Sequence, residues 1–445
     1  MKSNTKKKRV KKHIAVYLAQ LAVFAVTLAA MTVVGFIVPL RPQYSESEKR
    51  ELAKFPQFSV SELFSGDYFR KIGDWYSDTY PGRETWVGLN TKIKSSYGIS
   101  SEEIHGEIVE GDDIPDEYVP LTEAPTESNT ENTTDEETTW EPYVDENIDT
   151  QTLGAVFVAG DRAYEYYNFS QSVAISYIGT INREAAALQD VADFYVMIIP
   201  TSIGITLPDN YMSTVNSSDQ KKAIDYIYSG MSEDIKQVRI YNTLMEHRKE
   251  YIYFNTDHHW TALGAYYAYE QYADASGITK MPLSAYKQVE FDNFLGSFYN
   301  DTGKLPALEK NPDKIIAYVP NENAKLLFTN TKGEQINWPI INDVNSYVSS
   351  AKYSTFIAGD NPITEITNPD ITNGSSIVVV KESFGNAFVP FIVENYEKIY
   401  VIDYRHYKGS ISKFVKQNGV QTVLYMNNVS AIRNKSLMEL LDKTV

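Results

Sequence analysis

At 445 residues, with 43% hydrophobic and 13% aromatic content, the chain can bury a large core and reads as folded rather than solvated sequence. It has no cysteine, which excludes disulfides, thiolate nucleophiles and cysteine-ligated zinc or iron–sulfur centres. A net charge of −17 argues against nucleic acid as a partner.

Residues 1–12 hold seven Lys or Arg and no acid, and read as a cytoplasmic basic tail. They precede 25 uncharged, mostly apolar residues from Ile14 to Val38. At about 1.5 Å per helical residue such a run reaches ~37 Å, enough to cross a bilayer core with tilt. It is also longer than the apolar part of a secretion signal. We therefore expect a single-pass membrane anchor over 13–38 with everything after Pro39 outside the cell, because basic flanks stay in the cytoplasm. Cleavage is the alternative, since Leu28-Ala29-Ala30 offers small residues to a signal peptidase. With the seven basic charges of the tail set aside, −24 remains for the exported part. Residues 101–150 alone carry 18 Asp or Glu and no Lys or Arg.

Residues 39–109 read as an N-terminal helical region. Phe69, Ile72, Trp75 and Tyr76 fall on one helical face, and Trp86, Leu89, Ile93 and Tyr97 repeat that spacing after a Pro81-Gly82-Arg83 turn. Residues 110–150 are acidic, threonine-rich and poor in apolar side chains. They cannot bury enough surface to offset the entropy of ordering, which predicts a disordered excursion there. Their carboxylates lack the fixed spacing of a calcium loop.

From Gly154 onward, strand-like and helix-like segments alternate, as in an α/β domain with a largely parallel sheet over 151–445. Expected strands are Asp193–Pro200, Tyr251–Asn255, Ser376–Lys381, Lys398–Asp403 and Val420–Met426. Expected helices are Ser172–Val191, Ala262–Ser276 and Phe384–Tyr396. Residues 281–370, dense in Asn, Gly and Pro, predict a β-rich insertion that walls a cleft.

Three expected strand ends carry polar groups. The first is Thr256-Asp257-His258-His259-Trp260-Thr261. Asp257 and His259 are two apart, so on extended chain both face one way and the carboxylate can orient the imidazole, while His258 points to the opposite side. Thr261 is placed to cap the following helix. The second is Lys381-Glu382-Ser383-Phe384-Gly385-Asn386, a strand–turn–helix serine where the backbone N–H groups of Ser383 and Gly385 at the helix start can meet an oxyanion. The third is Asp403-Tyr404-Arg405-His406, where Tyr404 and Arg405 are candidates for contacting an acyl donor or a sugar hydroxyl, beside the plainer roles of packing and ion pairing. Asp-His pairs and serines before helices also serve simply as caps. Asp257, His258 and His259 are all zinc-ligand types, but they lack the H-E-x-x-H spacing, and we assign no metal site.

The histidine motif resembles the one that names the DHHW proteins. Phe55-Pro56, Tyr80-Pro81-Gly82-Arg83, Gly154 to Glu165 and Glu382-Ser383-Phe384-Gly385-Asn386 resemble further blocks of that family, across most of residues 50–430. DHHW proteins are in turn similar to AlgX and AlgJ type alginate O-acetyltransferases. That resemblance implies an SGNH-hydrolase-like, flavodoxin-like α/β domain with Ser383 as nucleophile, His259 as base and Asp257 as orienting acid. Asn386 joins Gly385 as an oxyanion candidate. Glu382 departs from the Gly-Asp-Ser of many SGNH enzymes. The implied activity is an extracytoplasmic O-acetyltransferase or esterase on a cell-surface glycan, needing no cofactor, with a membrane-embedded acyltransferase supplying acetyl groups. The alternative is a non-catalytic envelope protein that binds glycan, or assists polysaccharide assembly, with the same fold.

Overall fold

The computed structural model describes residues 41–42, 44–45, 50–52, 54–58, 67–82, 111–118, 143–145 and 148–445. The chain divides into two compact units, 1–101 and 102–445. The anchor expected over 13–38 and the helix expected around Trp86 to Tyr97 lie outside the described residues. Among the described residues, no helix is long and apolar enough to cross a membrane.

In the first unit, helix α1 (Asp67–Asp78) forms where the apolar spacing predicts it. Trp75 is its buried anchor. The Arg41 guanidinium lies 3.7 Å from the Trp75 ring centroid, and its Nη1 donates to the Trp75 carbonyl at 3.3 Å.

The second unit begins with a three-stranded antiparallel sheet of β1 (Thr150–Leu153), β2 (Val156–Ala159) and β3 (Arg162–Glu165). After helix α2 (Gln171–Leu188) come β4 (Asp193–Ile199), β5 (Lys236–Val238) and helix α3 (Ala262–Ser276). Next are β6 (Lys287–Phe294), β7 (Asp313–Val319), β8 (Lys325–Thr329), β9 (Gln335–Trp338) and β10 (Ile363–Thr367). The chain then runs through β11 (Ser376–Lys381), helix α4 (Gly385–Ile392), β12 (Lys398–Asp403) and β13 (Thr422–Asn428).

The main sheet has eight strands in the order β9-β8-β10-β12-β11-β13-β4-β5. The run from β12 to β5 is parallel, and β11, between β12 and β13, is buried along its whole length, as expected of a strand covered on both faces. Its side chains alternate between two cores. Ile377 and Val379 join the cluster containing α3 and α4 residues, whereas Val378 and Val380 join the cluster containing α2 residues. This is a helix–sheet–helix sandwich.

Three expectations need correction. First, β10, β8 and β9 add to the sheet antiparallel, so it is mixed, and part of the 281–370 region extends it rather than standing apart. β10 alternates half-buried and buried positions, the pattern of a strand nearer the edge. Only β6 and β7 form a separate pair. Second, Tyr251–Asn255 is not a sheet strand; it makes one isolated bridge, between Tyr253 and Trp260. Its apolar, aromatic composition reflects burial in a loop, which periodicity alone does not separate from a strand. Third, both ends of the 110–150 stretch are fastened to the domain. Asp112 accepts from the Gln171 N–H at 2.8 Å, the Tyr118 N–H donates to Ser229 at 3.2 Å, and the Tyr143 N–H donates to Asp209 at 2.9 Å. Residues 119–142 lie outside the described residues.

Candidate active site

The histidine motif sits on a tight loop folded back on itself. The Phe254 N–H donates to the His259 carbonyl at 3.2 Å and the Thr261 N–H to the Ile252 carbonyl at 2.9 Å. Asp313, the first residue of β7, fixes the loop's near side. Its carboxylate accepts from the Asn255 N–H (2.9 Å), the Thr256 N–H (2.7 Å), the Thr256 hydroxyl (2.6 Å) and the Tyr251 hydroxyl (2.6 Å). Burial pushes the Asp313 carboxyl above its ordinary range even though all four donors pull it down. Trp260 is fully buried and donates from Nε1 to the Phe384 carbonyl at 2.9 Å, tying this loop to the serine turn. The Thr261 side chain caps α3 by accepting from the Gly264 N–H, as expected.

Asp257, His259 and Ser383 meet. Asp257 is inaccessible to solvent, and its Oδ1 lies 2.5 Å from His259 Nδ1 and accepts from the His259 N–H at 3.1 Å. His259 Nε2 is 2.7 Å from Ser383 Oγ. This is the acid–base–nucleophile geometry of a serine triad. His258 does not point to the opposite side. Its ring centroid is 3.9 Å from that of His259, and its Nδ1 lies 2.6 Å from Ser297 Oγ. The two-residue alternation assumed extended backbone, whereas this loop turns; Asp257 reaches His259 within one turn. Asp257, His258 and His259 offer donor atoms within 4.8 Å of one another, but both ring nitrogens of His259 already face Asp257 and Ser383.

The loop after β6 is moulded on Asp257. The Ser297 N–H donates to Asp257 Oδ2 at 2.8 Å, and a Cβ on Gly296 would overlap the Asp257 carboxylate, 2.5 Å from its Cγ. Gly296→Ala is therefore expected to cost about 1–3 kcal/mol by overpacking and to misplace Asp257. The check is a melting curve alongside hydrolysis of an activated acetyl ester. A variant with wild-type stability and rate would show that the loop has room to spare.

Ser383 lies two residues past the end of β11. Glu382, also buried, braces the turn by accepting from the Phe384 N–H and the Asn428 N–H, both at 3.1 Å. Burial raises the Glu382 carboxyl, opposed chiefly by Arg405. Two of the three proposed oxyanion donors are already engaged. The Gly385 N–H donates to the Glu382 carbonyl at 3.0 Å, and Asn386 donates from Nδ2 to Asp360 at 2.9 Å and from its N–H to the Ser383 carbonyl at 3.1 Å. The helix-start amides close the turn on itself, which spacing could not reveal. Among the described residues, none accepts from the Ser383 N–H. Tyr404 is buried in the core on the α2 side of the sheet. Arg405 pairs with Asp403 at 2.6 Å and Asp360 at 2.9 Å, so packing and ion pairing describe these two residues.

Sequence reasoning missed Ser297 and Tyr353. Tyr353 stacks on His259 at 4.0 Å between centroids and donates to the Ser383 carbonyl at 3.1 Å. Both come from the irregular 281–370 region, where no motif marks them.

The model of the family described as DHHW protein matches residues 48–151 and 144–402. The chain belongs to the DHHW family. A DHHW family protein from Eubacterium siraeum is 26% identical, with a TM-score of 0.61 over 67% of this chain and 98% of that one. PatB1 of Bacillus cereus is 20% identical, with a TM-score of 0.54 over 65% of this chain and 99% of that one, and has also been solved with a sulfonyl adduct. The O-acetyltransferase domain of Pseudomonas putida AlgJ is matched at 10% identity and a TM-score of 0.32, over 67% of this chain and 100% of that one. No curated protein matches the chain.

Proposed function

We propose that this chain is an acyl-transferring enzyme, an O-acetyltransferase or esterase, that works through an acyl-enzyme on Ser383. The observation that carries the reading is the unbroken contact from Asp257 through His259 to Ser383 at 2.5 and 2.7 Å. A binding-only protein has no need of that alignment. Ser383 Oγ attacks the acyl carbonyl carbon while His259 Nε2 takes its proton, and the leaving oxygen then takes that proton from the imidazolium as the old ester bond breaks. An acceptor hydroxyl, or water, repeats the sequence in reverse. The Ser383 N–H is the amide available to the developing oxyanion. Placement of the serine at the end of a central parallel strand supports the SGNH-like reading of the domain.

The substrate we propose is a cell-surface polysaccharide, with acetyl groups supplied by a membrane-embedded acyltransferase. Both come from the resemblance of DHHW proteins to alginate O-acetyltransferases. Anchoring through 13–38, with the catalytic unit outside the cell, is supported by the basic flank and the length of the apolar run. The test is to incubate the full chain with 4-nitrophenyl acetate, follow the burst of nitrophenol and locate the acetyl group by peptide mass spectrometry. A burst with acetyl on Ser383, blocked by a sulfonyl fluoride, is expected. No burst, with an unchanged rate in Ser383→Ala, would overturn the proposal.

A further inference from the structure

His259 is gripped on both faces. The Tyr353 ring lies nearly parallel to it, 4.0 Å between centroids at 13°, and the His258 ring lies 3.9 Å away at 35°. Two rings whose centroids both lie within 4.0 Å of a third cannot share one of its faces without overlapping, so they occupy opposite faces. Each jaw is fastened to a different partner of the base. The Tyr353 hydroxyl donates to the carbonyl of Ser383 at 3.1 Å. His258 Nδ1 meets Ser297 Oγ at 2.6 Å, and the Ser297 N–H holds Asp257 at 2.8 Å. The Tyr353 jaw is buried; the His258 jaw is half-buried.

We propose that Tyr353 and His258 are positioning residues that clamp the plane of the His259 ring, an inference that rests on the acyl-transfer reading above. A histidine ring turns about its Cβ–Cγ bond in a broad well. The bonds to Asp257 and Ser383 hold two corners of the ring, but the second is given up once the serine oxygen is acylated, and the bond to Asp257 alone does not fix the plane. The base must take a proton from Ser383 and return it to a leaving oxygen without swinging away, and stacking on both faces removes that freedom in advance. Fastening one jaw to the nucleophile and the other to the loop of the acid keeps all three groups in register.

The test compares Tyr353→Phe, Tyr353→Leu, His258→Phe and His258→Ala in the full chain, with Ser383→Ala and His259→Ala as controls. Two quantities are read: the rate constant for acetylation by 4-nitrophenyl acetate, apart from KM, and the low-field proton resonance of the bond between His259 Nδ1 and Asp257. Removing either ring, in Tyr353→Leu or His258→Ala, is expected to slow acetylation about tenfold to a hundredfold with little change in KM, and to broaden the resonance. Tyr353→Phe and His258→Phe keep a flat ring against His259 and should recover most of both. Wild-type acetylation and an unbroadened resonance in His258→Ala, which alters a half-buried residue and does not depend on the buried Tyr353 tolerating change, would overturn the clamp. So would a loss in Tyr353→Phe as large as in Tyr353→Leu, which would assign the effect to the hydroxyl. If the two controls acetylate as fast as wild type, the acyl-transfer reading itself falls. If they are dead while every jaw variant is normal, only the clamp does.

Discussion

Ser383→Ala is expected to slow turnover of an activated acetyl ester by a factor on the order of 10⁴ to 10⁶, and His259→Ala by a similar factor, because triad members act as a unit. For the same reason the double variant should be no slower than either single one. The cost in stability is small by comparison. Ser383 Oγ makes one strong contact, to His259, and a long one of 3.5 Å to Glu382, so alanine unpairs His259 Nε2 and little else, at about 1–3 kcal/mol. In His259→Ala, Asp257 still accepts from the backbone N–H groups of residues 259 and 297, which limits the penalty to about 1–3 kcal/mol. Stopped-flow burst kinetics and melting curves on Ser383→Ala, His259→Ala and His258→Ala, measured together, separate the roles. His258→Ala should be slowed by only the modest clamp factor. A dead but well-folded His258→Ala beside an active His259→Ala would reverse the assignment of the base. Equal loss in both, with bound metal detected, would instead favour a zinc centre.

What the sequence revealed of this site follows from what one-dimensional patterns encode. Strands covered on both faces, such as Ser376–Lys381, are continuous β-branched runs and were legible to the residue, as was helix Ala262–Ser276 between its Thr261 cap and Gly277. The pairing of Asp257 with His259 was also legible, though by the wrong geometry: a turn, not a strand, brings them together. Contacts made across the chain were hidden. Ser297 lies 40 residues from Asp257 and Tyr353 lies 30 from Ser383, and neither separation corresponds to any local period. The antiparallel extension of the sheet was obscured for a related reason, since β8, β9 and β10 are short and their pairing is fixed by distant partners rather than by their own composition. Arg405 was named from its position after a strand, but its partner Asp360, 45 residues earlier, decides what it does.

That partnership yields the second large effect, in Lys381→Met. Lys381 ends β11 with its ammonium buried, 2.9 Å from Asp360 and 3.1 Å from Asp403, and Arg405 binds the same two carboxylates. Two cations and two anions thus balance beneath the serine turn, and Asn386 of α4 joins them through Asp360. Burial alone would push the Asp403 carboxyl up, but Lys381 and then Arg405 reverse this and hold it below its ordinary range. Asp360 is held well below for the same reasons. Methionine fills most of the volume and removes one positive charge, leaving a buried excess of negative charge. The expected loss is about 3 kcal/mol, the low end for breaking a buried pair, because the Asp360 side chain is one-third exposed. The sign of the pH dependence follows from the depressed carboxyls. Their contribution is fully present above the unfolded value of about 3.9 and disappears as pH falls through the lower folded values. In the variant the missing cation lets a carboxyl rise and take a proton sooner. The stability gap to wild type should therefore be full near pH 7 and narrow toward about pH 4.5, as read by urea unfolding at both values. Lys381→Met/Asp403→Asn, which removes the unpaired charge, should recover part of the loss at pH 7. A gap independent of pH, with no recovery in the double variant, would mean that the lysine acts by packing alone.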